Sequence, residues 1–133
     1  ISLEFKNGRV VRAQAKKNEK VLVEMLKTEN ADKIGEYSLT DGRLSRIDRF
    51  MANTLYDENR GGKFGNTHLA LGRSYKDTYD GDPRKVSKQE WKKLGFNDSA
   101  VHTDIISISN RTVTATTSSG DGIVIYKDGK FVL

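Results

Sequence analysis

The sequence predicts an α+β fold in which a mostly antiparallel sheet is combined with a few short helices. Two dipeptides that favour tight turns, Asn7-Gly8 and Asp128-Gly129, each lie between extended stretches and indicate β-hairpins near both ends of the chain. The segment that contains Ile105, Ile106 and Ile108 is rich in β-branched residues, which favours a strand there. With 133 residues, the chain has the length of one domain.

The first elements are a hairpin and a helix. Residues 1–6 alternate apolar with polar side chains, and a second extended stretch runs from Val10 to Ala15. Asn18 is the residue type that caps helices, and we expect it to begin a helix that ends near Asn30. The apolar stripe expected on that helix consists of Val21, Leu22, Met25 and Leu26.

The middle of the chain is less regular. Residues 33–39 predict a short strand, and residues 41–60 fit a helix loosely, ending at Gly61-Gly62. The apolar positions of that loose helical pattern are Leu44, Ile47, Met51 and Leu55. Residues 87–90, Ser-Lys-Gln-Glu, form a capping-box sequence, which predicts a short helix through Trp91 and Leu94 that ends at Gly95.

The C-terminal part has the clearest pattern. Strands are predicted near residues 101–108, 111–117 and 122–127. A further extended segment, Phe131-Val132-Leu133, follows the Asp128-Gly129 turn. These strands are expected to pair mostly antiparallel.

Composition excludes several classes of protein. The chain has no cysteine, so disulfide scaffolds and thiolate metal sites are excluded and a reducing cytoplasm is the expected location. No apolar run reaches the roughly 18 residues of a membrane helix, so membrane insertion is not expected. The net charge is +5, but acidic residues interrupt the basic ones and aromatic residues do not alternate with them, so we expect a solvated basic face and no nucleic-acid partner.

Several catalytic motifs are also absent. The sequence lacks a Gly-x-Gly-x-x-Gly loop, a Walker phosphate loop and a Gly-x-Ser-x-Gly elbow. A serine triad with either histidine stays open, although no serine is singled out.

The apolar fraction of 35% is on the polar side for an independent globule, and we expect another domain or a second copy to complete its burial.

The only two histidines point to a metal site. In His102-Thr103-Asp104 the imidazole and the carboxylate lie on one face of the predicted strand, because side chains alternate between faces. Neutral imidazole with carboxylate suits Zn, Co or Mn better than Ca or Mg. The competing interpretation is a hydrogen-bonded surface pair. His68 lies in the segment 65–72, with Tyr75 seven residues after it.

Other polar residues add to this candidate site, each with a plain structural alternative. Glu36 follows a glycine in an apolar stretch, where a buried carboxylate must be paired or coordinated, whereas an outward-facing strand position would leave it solvated. Tyr75 could donate a hydrogen bond to an oxyanion or serve only in packing. Asp57 and Glu58 could support the ligands from an outer shell or be exposed charges near a helix end.

Taken in order, four segments resemble the C-terminal part of the metalloaminopeptidase family of aminopeptidase T, aminopeptidase S and PepS. The segments are residues 34–36 (Ile-Gly-Glu), 53–59 (Asn-Thr-Leu-Tyr-Asp-Glu-Asn), 65–72 (Gly-Asn-Thr-His-Leu-Ala-Leu-Gly) followed by Tyr75, and 102–104 (His-Thr-Asp). The similarity spans nearly the whole chain, so we expect residues 1–133 to form the C-terminal catalytic segment of a two-domain enzyme.

The resemblance implies a cytoplasmic, usually dimeric exopeptidase that removes N-terminal amino acids from peptides with two divalent ions. Zn or Co is expected, with Mn or Mg as further candidates. By motif position, Glu36, His68, His102 and Asp104 would bind metal and Tyr75 would be the active-site tyrosine. Whether Glu36 bridges the ions or acts as the general base stays open, and no organic cofactor is expected.

One departure from the family matters. The family has a further metal-binding glutamate in an upstream Asn-x-Pro-x-Gly-Glu motif, and these 133 residues contain no such motif. The chain is therefore expected to be an incomplete fragment with poor activity by itself, because this glutamate and the protein's own N-terminal domain lie upstream of it. The alternative function is a catalytically silent binding or dimerisation domain with the same fold.

Overall fold

The computed structural model describes residues 1–132. The chain forms two compact units: the first comprises Ile1–Tyr37 and Leu69–Ile105, and the second comprises Ser38–His68 and the chain from Ile106 onward. Eleven strands and α-helices follow one another in the described part: β1 (Ser2–Lys6), β2 (Arg9–Gln14), α1 (Glu19–Leu26), β3 (Ile34–Thr40), α2 (Thr54–Asp57), β4 (Asn66–Gly72), α3 (Lys88–Lys93), β5 (His102–Ser107), β6 (Thr112–Thr116), β7 (Gly122–Lys127) and β8 (Lys130–Phe131).

The N-terminal hairpin is confirmed. Strands β1 and β2 pair antiparallel, and the turn residues Asn7 and Gly8 have φ values of 50° and 75°, as a two-residue turn of this kind requires. The register shifts between Glu4 and Phe5, which marks a β-bulge. The local Asn-Gly signal therefore predicted the hairpin correctly.

Helix α1 begins directly after Asn18, as the sequence predicts, but it ends at Leu26, before Asn30, and its capping contact and buried face differ. Asn18 has a left-handed backbone with φ 55°, and its side chain makes no capping hydrogen bond. A side-chain cap typically has an extended backbone at that position, so Asn18 is at the predicted helix start without the expected side-chain bond, and its backbone carbonyl accepts from the Val21 N–H at 3.0 Å instead. Only Leu22 of the apolar stripe is buried, whereas Val21 is 68% exposed on the solvent side.

The central sheet has three strands in the order β3-β4-β5. Strand β4 was not among the elements expected from the sequence. Five of its seven residues are buried, which include Asn66, His68 and Leu71. A short strand buried on both faces shows no alternation of apolar and polar residues, and this explains why its pattern was missed.

The second sheet of the C-terminal region has the order β6-β7-β8 with antiparallel pairing. Asp128 and Gly129 occupy its second turn with φ values of 50° and 80°, so this predicted hairpin is also confirmed. The fully buried Tyr126 side chain donates a hydrogen bond of 2.9 Å to the carbonyl of Thr40. Of the predicted segment 131–133, Leu133 lies outside the described residues.

The helix expected over residues 41–60 was wrong. Only the four-residue α2 is helical there, and Leu44 and Leu55 are more than 70% exposed. Polar side chains fix this segment instead: the Asp41 carboxylate accepts from the backbone N–H of Arg43 at 2.8 Å, and the Asp57 carboxylate accepts from that of Met51 at 2.7 Å. Such local bonds compete with helical ones.

Helix α3 follows a 3₁₀ turn, Pro83–Lys85, and begins with the predicted capping box. The Ser87 hydroxyl accepts from the Glu90 N–H at 3.2 Å, and the Glu90 carboxylate accepts from the Ser87 N–H at 2.8 Å. Trp91 packs its buried ring against Phe96, with ring centroids 5.5 Å apart. No helix within residues 1–132 has the length and apolar character that crossing a membrane requires.

Candidate metal centre

The first unit brings three of the expected ligand side chains together. Nε2 of His102 lies 3.7 Å from a carboxylate oxygen of Glu36 and 3.5 Å from Oδ1 of Asp104. The side chains are 29% exposed for Glu36, 20% for His102 and 7% for Asp104. Strand β3 supplies Glu36 and strand β5 supplies the other two, as expected for a His-x-Asp pair on one face of a strand.

The orientation of the His102 ring is fixed by a backbone carbonyl. Nδ1 of His102 lies 2.7 Å from the carbonyl oxygen of Arg73, which can only accept, so Nδ1 carries the proton. In the neutral ring Nε2 then presents its lone pair towards the two carboxylates. Metal-binding histidines commonly donate their other N–H in this way, which fixes the tautomer.

Two glycines allow the backbone to approach the site in this arrangement. A Cβ atom at Gly35 would collide with the carbonyl oxygens of Gly72 and Arg73. Gly72 itself has φ 97°, and a Cβ there would collide with the carbonyl of Val101. A larger residue at position 35 would displace the Arg73 carbonyl that holds the His102 ring, and one at position 72 would displace the Val101 carbonyl, which accepts from the Arg73 N–H.

A buried carboxylate oxygen of Asp104 gives an independent indication of a cation. Oδ1 of Asp104 is buried and accepts no hydrogen bond from any residue in the described part of the chain. Burying a carboxylate without a hydrogen bond is costly unless it is paired or coordinates a metal. Two carboxylates and an imidazole lone pair directed at each other repel unless a positive charge lies between them, and this donor set fits a divalent ion such as zinc.

Tyr75 lies beside this cluster. Its ring is 4.7 Å from the imidazole of His102 and inclined to it by 54°. The side chain is 56% exposed, so its hydroxyl is accessible to a ligand that binds at the cluster. The sequence associates Tyr75 with His68, which precedes it by seven residues. In the first unit, the histidine that the Tyr75 ring contacts is His102.

His68 lies in the second unit, together with Glu58. It is buried, with Nδ1 3.0 Å from the carbonyl oxygen of Glu58, so Nδ1 carries the proton and Nε2 carries the lone pair of the neutral ring. A carboxylate oxygen of Glu58 and a ring nitrogen of His68 also lie within 4.8 Å of each other. The Nδ2 group of Asn66 donates to the carbonyls of Asp57 and Glu58 at 3.0 and 3.1 Å and so fixes this segment.

Glu58 therefore lies directly beside a candidate ligand, whereas the sequence suggested an outer-shell position for both it and Asp57. The structure gives these neighbours different surroundings: the Asp57 carboxylate accepts from the N–H groups of Met51 and Asn53 at 2.7 and 3.2 Å, whereas Glu58 faces the histidine. Asp57 is also buried and not an exposed charge. The signal for Glu58 was its place in the segment 53–59 that carries the family resemblance.

Comparison with known proteins identifies relatives over almost the whole chain. The model of the family described as "Thermophilic metalloprotease (M29)" matches residues 1–131. The chain is 32% identical over 134 residues to "Aminopeptidase AmpS" of Bacillus subtilis (strain 168) and 31% identical over 134 residues to "Aminopeptidase 2" of Geobacillus stearothermophilus. It is also 31% identical over 137 residues to "Aminopeptidase PepS" of Streptococcus thermophilus.

These alignments cover 98–100% of the chain but only 31–32% of each relative. The chain thus spans about a third of the length of the curated relatives that it matches.

Proposed function

Because the chain belongs to the family described as "Thermophilic metalloprotease (M29)", we propose that it is the C-terminal catalytic part of an aminopeptidase that releases N-terminal amino acids from peptides. The observation that carries the proposal is the position of His102. Its Nε2 lone pair faces Glu36 and Asp104, while its Nδ1–H is held by a backbone carbonyl. The names of the relatives, all aminopeptidases, support the reaction type.

We propose that Glu36, His68, His102 and Asp104 hold two divalent ions, with Zn or Co as the first candidates. Family position supports all four residues, and the donor geometry within the first unit supports three of them. Glu58 joins the proposed ligands because its carboxylate lies beside His68. When bound, two such ions would supply an activated water at neutral pH and polarise the scissile carbonyl.

The protein's own groups have separate tasks in this proposal. Asp104 and Glu36 supply negative charge, and the Arg73 carbonyl keeps His102 in the tautomer that offers Nε2. A glutamate can also accept the proton of the attacking water and pass it to the leaving amine, and Glu36 is our candidate for that role or for a bridging one. The Tyr75 hydroxyl would donate to the developing oxyanion, a contribution of roughly 2.7–4 kcal/mol when such a donor is well aligned.

Metal binding by this chain tests the proposal directly. Nitrogen-15 NMR of the two histidines in metal-free protein should show the Nδ1-protonated tautomer for both rings, and added zinc should shift their Nε2 resonances. Cobalt should give a visible absorption spectrum, and His102→Asn should abolish or weaken it. If neither histidine responds to millimolar zinc or cobalt, this chain contains no such metal site and the proposed function fails.

The setting of the enzyme is part of the proposal. We propose that the parent protein is cytoplasmic and dimeric, that it has its own N-terminal domain, and that an upstream glutamate supplies the remaining metal ligand. The lack of cysteines is compatible with a reducing compartment, and the relatives are about three times as long as this chain. Sedimentation of the full-length parent measures its oligomeric state, and fractionation of the cells that produce it measures its location. A monomeric or secreted parent would contradict them.

A further inference from the structure

The first unit contains a groove whose lining is strongly cationic. Its cavity volume is about 610 Å³. Six basic residues line it: Arg9, Lys33, Arg73, Lys76, Lys88 and Lys92. The acidic residues in the lining are Glu29 and Asp98. The groove therefore has a formal excess of positive charge, although the basic residues are scattered along the sequence.

Two of the six cations are already paired. Arg9 forms an ion pair with Asp32 at 2.7 Å, and Arg73 forms a looser one with Asp98 at 3.4 Å. Among the residues that the structure describes, the four lysines of the groove form no ion pair. Only Glu29 remains to oppose them, so a ligand with a negative charge would meet an uncompensated positive potential.

Lys76 is held in place by aromatic rings. Its ammonium lies 4.9 Å from the ring centre of Trp91 and 5.0 Å from that of Phe96. A cation–π contact fixes a lysine without neutralising its charge, so the ammonium keeps its attraction for an anion. The indole of Trp91 is 7% exposed, which leaves little ring surface on which a nucleic-acid base could stack.

A second cavity of the first unit shares two aromatic residues with the groove and is lined by Tyr75, the neighbour of His102. This cavity has a volume of about 340 Å³, and its lining includes Gly35 and Tyr75. Trp91 and Phe96 line both cavities. Tyr75 contacts the ring of His102, and the carbonyl of Arg73, a residue that lines the groove, lies 2.7 Å from Nδ1 of His102, so the groove and the candidate ligands are near neighbours in the first unit.

We propose that this groove binds the free C-terminal carboxylate of short peptide substrates whose amino end lies at the candidate metal centre. The inference rests on the proposed function, since it names a substrate class for the same site. A free carboxylate is a compact anion that lysine ammonium groups can bind from several directions. Short peptides with a free C-terminus should therefore be preferred over peptide amides and over the interior of long chains.

The test measures peptide binding to metal-free protein by calorimetry, with EDTA present. The ligands are the tripeptide Ala-Ala-Ala with a free carboxylate, the same tripeptide as its amide, and Ala-Glu-Ala amide. We expect the free acid to bind at least tenfold more tightly than either amide and to shift the indole N–H signal of Trp91. That signal is unique, because the chain has one tryptophan.

Helix α3 and the turn before it offer a matched pair of variants. Lys88→Gln with Lys92→Gln removes two charges from the groove, whereas Lys85→Gln with Lys93→Gln removes two from a neighbouring cavity of about 540 Å³. We expect the first double variant to lose at least tenfold in affinity for the free acid and the second to change it by less than threefold. All four lysines are exposed, so both variants should melt within a few degrees of the wild type.

Several results would overturn the inference. Equal affinity for acid and amide, or equal losses in the two double variants, would show that the groove does not select a C-terminal carboxylate. Binding of Ala-Glu-Ala amide as tightly as the free acid would reassign the groove to acidic side chains. Tighter binding of a single-stranded oligonucleotide, lost in the same variant, would reassign it to nucleic acid. Because these titrations contain no metal, their failure leaves the histidine NMR test of the proposed function independent.

Discussion

Replacing Asp104 by asparagine isolates the contribution of one carboxylate to the candidate metal centre. The substitution keeps the shape of the side chain and removes its charge. Oδ1 of Asp104 accepts no hydrogen bond from the described residues, so the change breaks no bond at that oxygen. The folding stability of the metal-free chain should therefore be unchanged or slightly higher, because a buried charge is lost.

The 3.5 Å between Nε2 of His102 and Oδ1 of Asp104 sets the expected loss of metal affinity, because an ion bound by both atoms lies no farther than this from Oδ1. A unit positive charge 3.5 Å from Oδ1 is attracted by about 5 kcal/mol at an effective dielectric constant near 20. Since His102 and Glu36 are 20% and 29% exposed, we reduce this by about half for solvent screening, to roughly 2–3 kcal/mol. That corresponds to roughly 30- to 150-fold weaker binding, and a divalent charge makes this a lower bound.

The assay is a zinc titration of wild type, Asp104→Asn and Asp98→Asn by calorimetry, with thermal melting of each metal-free protein. Asp98 is a matched control because it is an exposed carboxylate of the same unit, 73% accessible, and its one ion pair among the described residues is with Arg73. We expect a change of less than threefold in the control. If the zinc affinity of Asp104→Asn lies within threefold of that of the wild type, the reasoning is refuted. It is also refuted if the His102 ring carries protons on both nitrogens at neutral pH and zinc does not bind.

Further predictions concern the second unit and the activity of the chain by itself. Asp41→Asn should lower the free energy of unfolding in urea by about 1.5–3 kcal/mol, because the side chain is 1% exposed and accepts charge-assisted hydrogen bonds from Arg43. Those bonds hold the pKa of Asp41 well below its usual range. Their contribution to stability is therefore complete above about pH 4 and is lost as the pH falls. Below about pH 4 the free energy of unfolding of the asparagine variant should consequently fall less steeply than that of the wild type. Gly65→Ala should lower the free energy of unfolding by about 1–3 kcal/mol, since a Cβ would collide with the Tyr126 hydroxyl. In the control Gly120→Ala the Cβ meets no atom within 4 Å, so only the strain of a positive φ should lower its stability. Equal losses in the two variants would contradict this. Finally, this chain should hydrolyse an aminoacyl amide roughly 10–100-fold or more slowly than the full-length parent with zinc or cobalt, and comparable turnover would show that the family's upstream glutamate is dispensable.

The elements that could be predicted correctly from the sequence are those specified within a few residues. Both residues of Asn7-Gly8 and of Asp128-Gly129 have positive φ, as their turns require. The capping box needs only the two reciprocal hydrogen bonds between Ser87 and Glu90, which are three residues apart. The pattern over residues 41–60 failed for the opposite reason. Its apolar residues have helical spacing, but a helix needs a surface on which to bury them, and Leu44 has none.

For the candidate site, the sequence determined the chemistry and the tertiary structure decided its arrangement. The types and order of Glu36, His68, His102 and Asp104 are readable in the sequence and carried the resemblance to the family. Only the fold places the carbonyl of Arg73 on Nδ1 of His102 and so selects the nitrogen offered to a ligand. Residue identity fixes which protons and lone pairs exist, whereas their direction depends on contacts between residues far apart in the chain, which no local pattern encodes.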